Sequence, residues 1–489
     1  MSSAVVFSAD TRALERLEVR AWREGLLAAK GDGARMVSLW GRREGASALV
    51  TALVELANGS MQAFVTEVSV ERGYHELTTS WPALHCFERE LHEQTGVRIA
   101  GHPWLKPIRY AGLPQAAMNA YPFYVIEGKE VHEVAVGPVH AGVIEPGSFR
   151  FMCHGEQVHH LEIHLGYQHR GVEQRLLEGD PRRLAPLVET IAGDTSVAHA
   201  WAYCAAIEDL VGVELAGEVD VARAVALELE RVAMHLAGLA GLAADVGFLQ
   251  GATTYGRLRT TAINTTMKLC GSRFGRGALR PGGTGMVLSE ALAREVAANV
   301  ALMQRDLTLI NACFLSARTV QHRLQGAGVL SNDQASELGV VGMAARASGV
   351  LLDLRQGRAA GAYADEPLKA VVCAEGDCWA RGLVRIREMD ESLAWLARVL
   401  ARAGRWDAPR QVVHHLQPER LVVARVEGWR GEVVHCLETD GAGRLAHYKV
   451  QDPSLRNWMG LAIAVRKNEI SDFPICNKSF DLSYCGNDL

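Results

Sequence analysis

The 489 residues contain no CxxC pair, although ten cysteines are present, at positions 86, 153, 204, 270, 313, 373, 378, 436, 476 and 485. Metal and cluster sites built on paired thiolates are thereby excluded. The opening segment, MSSAVVFSADTRALERLEVR, has no basic stretch leading into an apolar run, so a secretory signal is not expected and a cytoplasmic setting is. Scattered thiols in such a setting argue against a disulfide framework. Long hydrophobic runs are missing too. The stretch 236–249 is broken by Asp245 and by glycines, short of the roughly 20 apolar residues that span a bilayer. There is no block of lysines and arginines, and the net charge is -5, so nucleic acid is not an expected partner. A glycine-rich dinucleotide fingerprint is lacking, which places any NAD(H) site outside this chain.

What is present is ordinary globular composition, 48% hydrophobic and 22% charged, enough to bury two or three cores. Between residues 10 and 105, short apolar stretches (ALVTALVELA, MQAFVTEVSV) alternate with a helical segment, PALHCFERELHEQTG, predicting a small α/β domain over 1–110. Residues 111–130 belong to a proline-bearing stretch of weak periodicity and read as a linker. The alternation in FRFMCHGEQVHHLEIHLGY predicts a small antiparallel sheet within 131–170. Further on, Val221, Val225, Leu229, Val232 and Leu236 recur at three- and four-residue spacing, one stripe of a buried helix. Similar patterns fill 286–323 and 376–402, and a hairpin-rich piece is expected over 420–450. The class expected is α+β, with a small α/β domain followed by a mostly helical domain, 131–489, carrying small antiparallel sheets.

Histidines 154, 159, 160, 164 and 169 have no ligand-type spacing and are expected to be solvated or to face a partner. Glu228, Arg231 and His235 share a helix face, where a plain ion pair is the expected role.

Several segments resemble the large subunits of membrane-bound energy-converting nickel-iron hydrogenases, of formate hydrogenlyase and of hydrogenase-4, and the homologous quinone-site subunit of complex I. They are VGPVHAGVIEPGSFRF (136–151), GYQHRGVEQ (166–174), AHAWAY (198–203), ELERVAMHL (228–236), RFGRGALRPGG (273–283), RASGVLLDLR (346–355), EGWRGEVVHCLETD (427–440) and DPSLRNW (452–458). WPALHCFERELHEQTGVRIAGHP (81–103) is similar to the small hydrophilic subunit of complex I, so the chain resembles a fusion of the two.

The resemblance implies a metal cavity whose ligands are gone. Anchored on Gly193 and His199, the first cysteine pair of the family falls on Ala192 and Thr195. Anchored on Asp481, the second falls on Ser483 and Gly486, with Cys485 one residue off register. Nickel and iron in this family are held by soft thiolates, so no metal is expected here. With Leu489 just past the second pair, the resemblance also leads one to expect that the extension which family proteases remove after nickel insertion is not used here. The tyrosine of the complex I quinone site falls near Gly193, and its histidine falls in a segment where Glu145 and Pro146 stand.

By the same resemblance the catalytic candidates are Glu145, His140, His199 and Asp194, with Ala192, Thr195, Ser483, Gly486 and Asp481 lining the former metal position. Glu145 matches the hydrogenase residue that passes protons, and a carboxylate closed off from water is expected to titrate high. The activity implied is that of an oxidoreductase component acting only within a complex, on quinone as a candidate ligand, with a non-catalytic scaffold or coupling subunit as the alternative and a true nickel-iron hydrogenase ranked behind both. No cofactor is expected on this chain. The partners implied are an iron-sulfur small subunit and antiporter-like and helix-bundle membrane subunits, placing the chain on the cytoplasmic side of the inner membrane.

Overall fold

In the computed structural model, residues 2–113, 117–118, 120–140, 144–356, 360–402, 406 and 410–489 are described. Near the N-terminus a four-stranded sheet runs in the order Arg16–Leu17, Met61–Ser69, Ser47–Glu55, Arg35–Glu44, antiparallel except for the first pair. Helix Val19–Gly31 covers one face through Trp22 and Leu26, and the Trp22 indole donates to the Phe64 carbonyl at 3.1 Å. Helix His85–Thr95 packs over strand Arg35–Glu44, where Gly41 permits close approach: a Cβ there would lie 2.4 Å from Leu91 Cδ1.

Strand Val5–Asp10 departs from this unit and pairs antiparallel with Arg420–Glu427, extending a sheet completed by Glu432–Thr439 and Leu445–Gln451. Val37, Trp40 and Leu53 pack against Leu421, Val423 and Val434, so the two sheets share an apolar core. Buried and half-buried charges pair across that contact: half-buried Arg35 reaches Glu432 at 2.6 Å, and Arg425 reaches Glu55 at 2.8 Å.

The expected sheet within 131–170 forms from Val131–Val136, Ser148–His154 and Gln157–His164. Helices Ser196–Val211, Gly217–Asp245, Leu249–Cys270, Glu290–Ser316 and Cys378–Arg402 make the main helical core. Ser196–Val211 is buried almost all round, and it lies between the long helices and the sheet formed by 420–451. The chain closes with helices Pro453–Ala464, Phe473–Phe480 and Tyr484–Asp488, the last two on either side of the element that bears Ser483. The class is α+β, as expected.

One histidine departs from its expected role. His154 is exposed and meets Glu130 at 2.8 Å, but His164 is buried, with 2% of its surface exposed, because its strand turns that position inward beneath Tyr110 and Phe123.

Candidate functional site

The segment 192–199 enters the N-terminus of helix Ser196–Val211, and 481–486 lies between the two terminal helices. Arg430 and Asp452 join them. The Arg430 guanidinium takes both carboxylate oxygens of Asp194, at 2.6 and 2.7 Å, touches Thr195 Oγ1 at 3.2 Å, and donates through Nε to the Asp481 carbonyl at 2.5 Å. Bidentate pairing of this kind fixes orientation as well as charge. Trp429 lies under the same guanidinium, 3.9 Å from its ring centre, and donates to the Asp194 carbonyl at 2.9 Å.

Arg430 is itself held by a buried scaffold. Arg231 donates to the carbonyls of Glu427 and Gly428 at 2.6 and 3.1 Å, and Arg346 binds the Glu427 carboxylate at 2.7 Å and Glu388 at 2.7 Å. His235 also reaches Glu388, at 2.8 Å. The expected ion pair of Glu228 with Arg231 is present at 3.3 Å but belongs to this wider network.

Below the loop, Asp452 Oδ2 lies 3.1 Å from His199 Nε2; His199 Nδ1 lies 3.1 Å from His435 Nε2; and His435 Nδ1 lies 2.9 Å from the Tyr448 hydroxyl. All four side chains are buried. Burial alone would raise the Asp452 carboxyl, but the hydrogen bond and charge of His199, with Arg430 nearby, outweigh it and hold the group below its usual range. Burial, reinforced by His199, drives His435 well below the ordinary histidine range, so it sits as a neutral ring.

The four positions on which the resemblance puts the family's cysteines carry no thiolate. Ala192 is fully buried, and Thr195 gives its hydroxyl to Asp194 at 3.2 Å. Ser483 caps the last helix, its Oγ accepting from Gly486 N at 2.9 Å. Gly486 has no room for a side chain: a Cβ would lie 2.6 Å from Asp452 Cγ. Asp452 thus fills the volume a cysteine would enter, and hydroxyls, a methyl and carboxylates are hard or inert where nickel and iron need soft sulfur. The residues present do not fit the metal pair.

Other candidates fall around this centre. Asp481 adopts a left-handed conformation, φ 55°, and binds Lys478 at 2.8 Å. Against the raising effect of burial, Lys478, Arg385 and Arg430 bring its carboxyl down to about 2. Glu145 is half-buried and accepts from Tyr484 N at 3.3 Å; next to it, burial and then the Glu145 charge push the Cys485 thiol up to about 12. His140 spends Nε2 on the Gly147 carbonyl of its own loop, at 2.8 Å.

The site contains residues that sequence reasoning did not single out: Arg430, Asp452, His435, Tyr448 and Glu230. Arg430 and His435 lie inside EGWRGEVVHCLETD, Asp452 inside DPSLRNW and Glu230 inside ELERVAMHL, all segments that carry the resemblance, and that membership is the signal the sequence holds for them. Glu230 accepts from Val197 N at 2.7 Å and from Ala198 N at 3.4 Å, capping helix Ser196–Val211 from a neighbouring helix. Burial raises it to about 8, against those hydrogen bonds.

Comparison with known proteins agrees with this architecture. The family description "Respiratory-chain NADH dehydrogenase, 49 Kd subunit" matches residues 245–417, and "Respiratory-chain NADH dehydrogenase, 30 Kd subunit" matches 27–122. The C/D fusion protein of NADH-quinone oxidoreductase from Bacteroides thetaiotaomicron is 30% identical over 74% of this chain and 75% of its own length. The alpha subunit of the membrane-bound hydrogenase from Pyrococcus furiosus is 27% identical over 71% of this chain and 85% of its own. Among solved structures, one polypeptide of the membrane-bound sulfane sulfur reductase, an archaeal respiratory membrane complex, superposes with a TM-score of 0.69 at 24% identity, over 75% of this chain and all of that one, a likeness of fold.

Proposed function

Because the chain belongs to the family of fused C/D proteins of NADH-quinone oxidoreductase and their membrane-bound hydrogenase relatives, we propose that it is the redox-linked subunit of a membrane-associated respiratory complex, handling protons and electrons at a former nickel-iron position that works without nickel. The observation that carries this reading is the buried series Asp452, His199, His435 and Tyr448 beneath Ser483 and Gly486. Such a series can hold a proton close to a reacting group and exchange it without water. The electron acceptor assigned is a quinone headgroup, and the donor an iron-sulfur cluster in an adjacent small subunit. No helix among the described residues is long and apolar enough to cross a membrane. Attachment is assigned to antiporter-like and helix-bundle partner subunits, with this chain on the cytoplasmic side of the inner membrane.

A specific observation favours a second reading. Asp452 fills the space a side chain on Gly486 would need, and Asp194 and Arg430 are locked in a bidentate pair, as expected of a scaffold that transmits conformational change without reacting.

The deciding experiment is elemental analysis of the intact complex purified from membranes, together with hydrogen and quinone assays. Quinone-dependent turnover with no nickel, lost in Asp452→Asn, supports the proposal. Stoichiometric nickel with hydrogen turnover overturns it, and neither activity selects the scaffold.

A further inference from the structure

Outside the former metal position, two of the ten thiols stand side by side. Cys378 Sγ and Cys476 Sγ lie 3.9 Å apart; both are free thiols and both are buried. They belong to segments 98 residues apart, Cys378 opening helix Cys378–Arg402 and Cys476 lying within helix Phe473–Phe480. Asp377 caps the first of these helices, accepting from Ala380 N at 2.7 Å, and the Cys378 N–H donates to the Ala327 carbonyl at 2.9 Å. The Cys378 side chain is thus held at the positive end of a 25-residue helix.

The two sulfurs are not equivalent. Arg381, one turn into the helix, brings its guanidinium to 3.4 Å from Cys378 Sγ, holds Ser479 Oγ at 2.7 Å and lies 4.3 Å from the Phe480 ring centre. A helix N-terminus and an arginine both favour a thiolate. The hydrogen bond from Cys476 and then the Arg381 charge outweigh burial and bring the Cys378 thiol down to about 6, while the same hydrogen bond and burial hold the proton on Cys476. A thiolate beside a protonated thiol is an attacking sulfur with its resolving partner.

The cover over the pair is thin. Gly328, φ 63°, lies against both sulfurs, since a Cβ there would stand 2.6 Å from Cys476 Sγ and 3.3 Å from Cys378 Sγ. Gly326 and Val329 in the same loop are exposed, so the thiols sit directly beneath a surface loop. Local opening of a loop costs far less than global unfolding and admits a reagent little larger than water.

We propose that Cys378 and Cys476 form a reversible thiol oxidation site for hydroperoxides, whose disulfide clamps helix Phe473–Phe480 to the start of helix Cys378–Arg402. With hydrogen peroxide, the Cys378 thiolate attacks one oxygen: an S–O bond forms, the O–O bond breaks, and the departing hydroxide takes up the proton that Cys378 released on ionising. Cys476 then attacks the sulfur of this sulfenic acid. The S–S bond forms, the S–O bond breaks, and the oxygen leaves as water with the Cys476 proton. Two thiols lose two electrons and two protons, and one hydrogen peroxide becomes two waters. The sulfurs must close from 3.9 Å to about 2.05 Å, a shift within the reach of side-chain rotation. The clamp bears on the former metal position because Phe480 is followed at once by Asp481, whose carbonyl receives Arg430, and because Arg385 holds the Ser479 carbonyl at 3.0 Å.

The test treats the folded full chain with hydrogen peroxide, blocks the remaining thiols with iodoacetamide, and reads the digest by mass spectrometry without reductant. Most chains should yield a peptide pair joined through Cys378 and Cys476 and split by dithiothreitol. Oxidation should raise Tm and slow amide hydrogen exchange across residues 473–486 about threefold, both reversed by the reductant. Cys476→Ala should abolish the linkage, the rise in Tm and the slowed exchange, and leave a sulfenic acid on Cys378 that dimedone traps. Cys378→Ala should abolish the linkage, the rise and the slowed exchange with no sulfenic acid at Cys476, and it serves alone if the first variant fails to fold, as judged by circular dichroism. No linkage in the folded chain, linkage only after denaturation, or linkage of Cys378 to Cys373 or another cysteine overturns the proposal. A disulfide that forms but leaves Tm and exchange unchanged overturns it as well, since the two helices would then be no more firmly joined than before.

Discussion

His199 bridges Asp452 and His435, with 3.1 Å from Nε2 to the carboxylate and 3.1 Å from Nδ1 to the second ring. Both contacts are fully buried, so the carboxylate has no water to replace a lost partner. Removing one member of a buried pair while leaving the other typically costs about 3–5 kcal/mol. Asp452→Ala should destabilise the chain by that order in chemical unfolding, while Asp452→Asn, which keeps the shape, should fold and lose quinone-dependent turnover in the purified complex. Full turnover in Asp452→Asn would remove the series from the chemistry.

Glu230 gives a pH dependence whose sign can be worked out. Its carboxyl titrates at about 8 when folded, chiefly through burial, against about 4.3 in an unfolded chain. Between these values the folded form binds the extra proton, so this group's contribution to stability falls as pH rises from about 4 to about 8, by roughly 1 kcal/mol per pH unit. Glu230→Gln keeps an acceptor for Val197 N and has nothing to ionise. Its unfolding free energy should gain on the parent between pH 5.5 and 7.5, and parallel curves would refute the assignment.

Gly486 offers a steric prediction. Any Cβ there would crowd Asp452, with 2.6 Å to Cγ and 2.8 Å to Oδ2. Overpacking a buried site costs about 1–3 kcal/mol. Gly486→Ala and Gly486→Cys should both lower Tm, and the cysteine should bring no nickel into the purified complex. A thermal midpoint unchanged in both would mean that Asp452 yields easily.

Much of the fold was legible in the sequence because its elements obey one period each. The stripe from Val221 to Leu236 lies on helix Gly217–Asp245, and the alternation in FRFMCHGEQVHHLEIH lies on the strands Ser148–His154 and Gln157–His164. The pairing of Val5–Asp10 with Arg420–Glu427 was not legible, since it joins segments about 400 residues apart and a period of two names no partner. At the site, register with the family singled out Ala192, Thr195, Ser483 and Gly486. It could not say that Asp452 would occupy the space beside Gly486, because that depends on how two distant loops pack. Burial of His164 was missed for a related reason: alternation sorts residues onto two faces without saying which face a linker will cover.

The loop carrying Trp429 and Arg430 is held from behind by charges that never reach solvent, and this leads to a last prediction. Arg346 joins Glu388 and Glu427, each at 2.7 Å, and all three side chains are essentially unexposed. Arg346→Met leaves two carboxylates without their shared cation, so the expected loss is about 3–5 kcal/mol. Glu427→Gln alone should cost less, because Arg231 grips the backbone carbonyls of Glu427 and Gly428 whatever the side chain at 427. The two changes touch one network, so the double variant should depart from additivity by about 0.5–3 kcal/mol. Because the Trp429 indole is tied to the Asp194 carbonyl, a loosened loop should also shift tryptophan emission in the folded protein. Additive losses with unchanged emission would mean that the buried charges stabilise the helices without positioning Arg430.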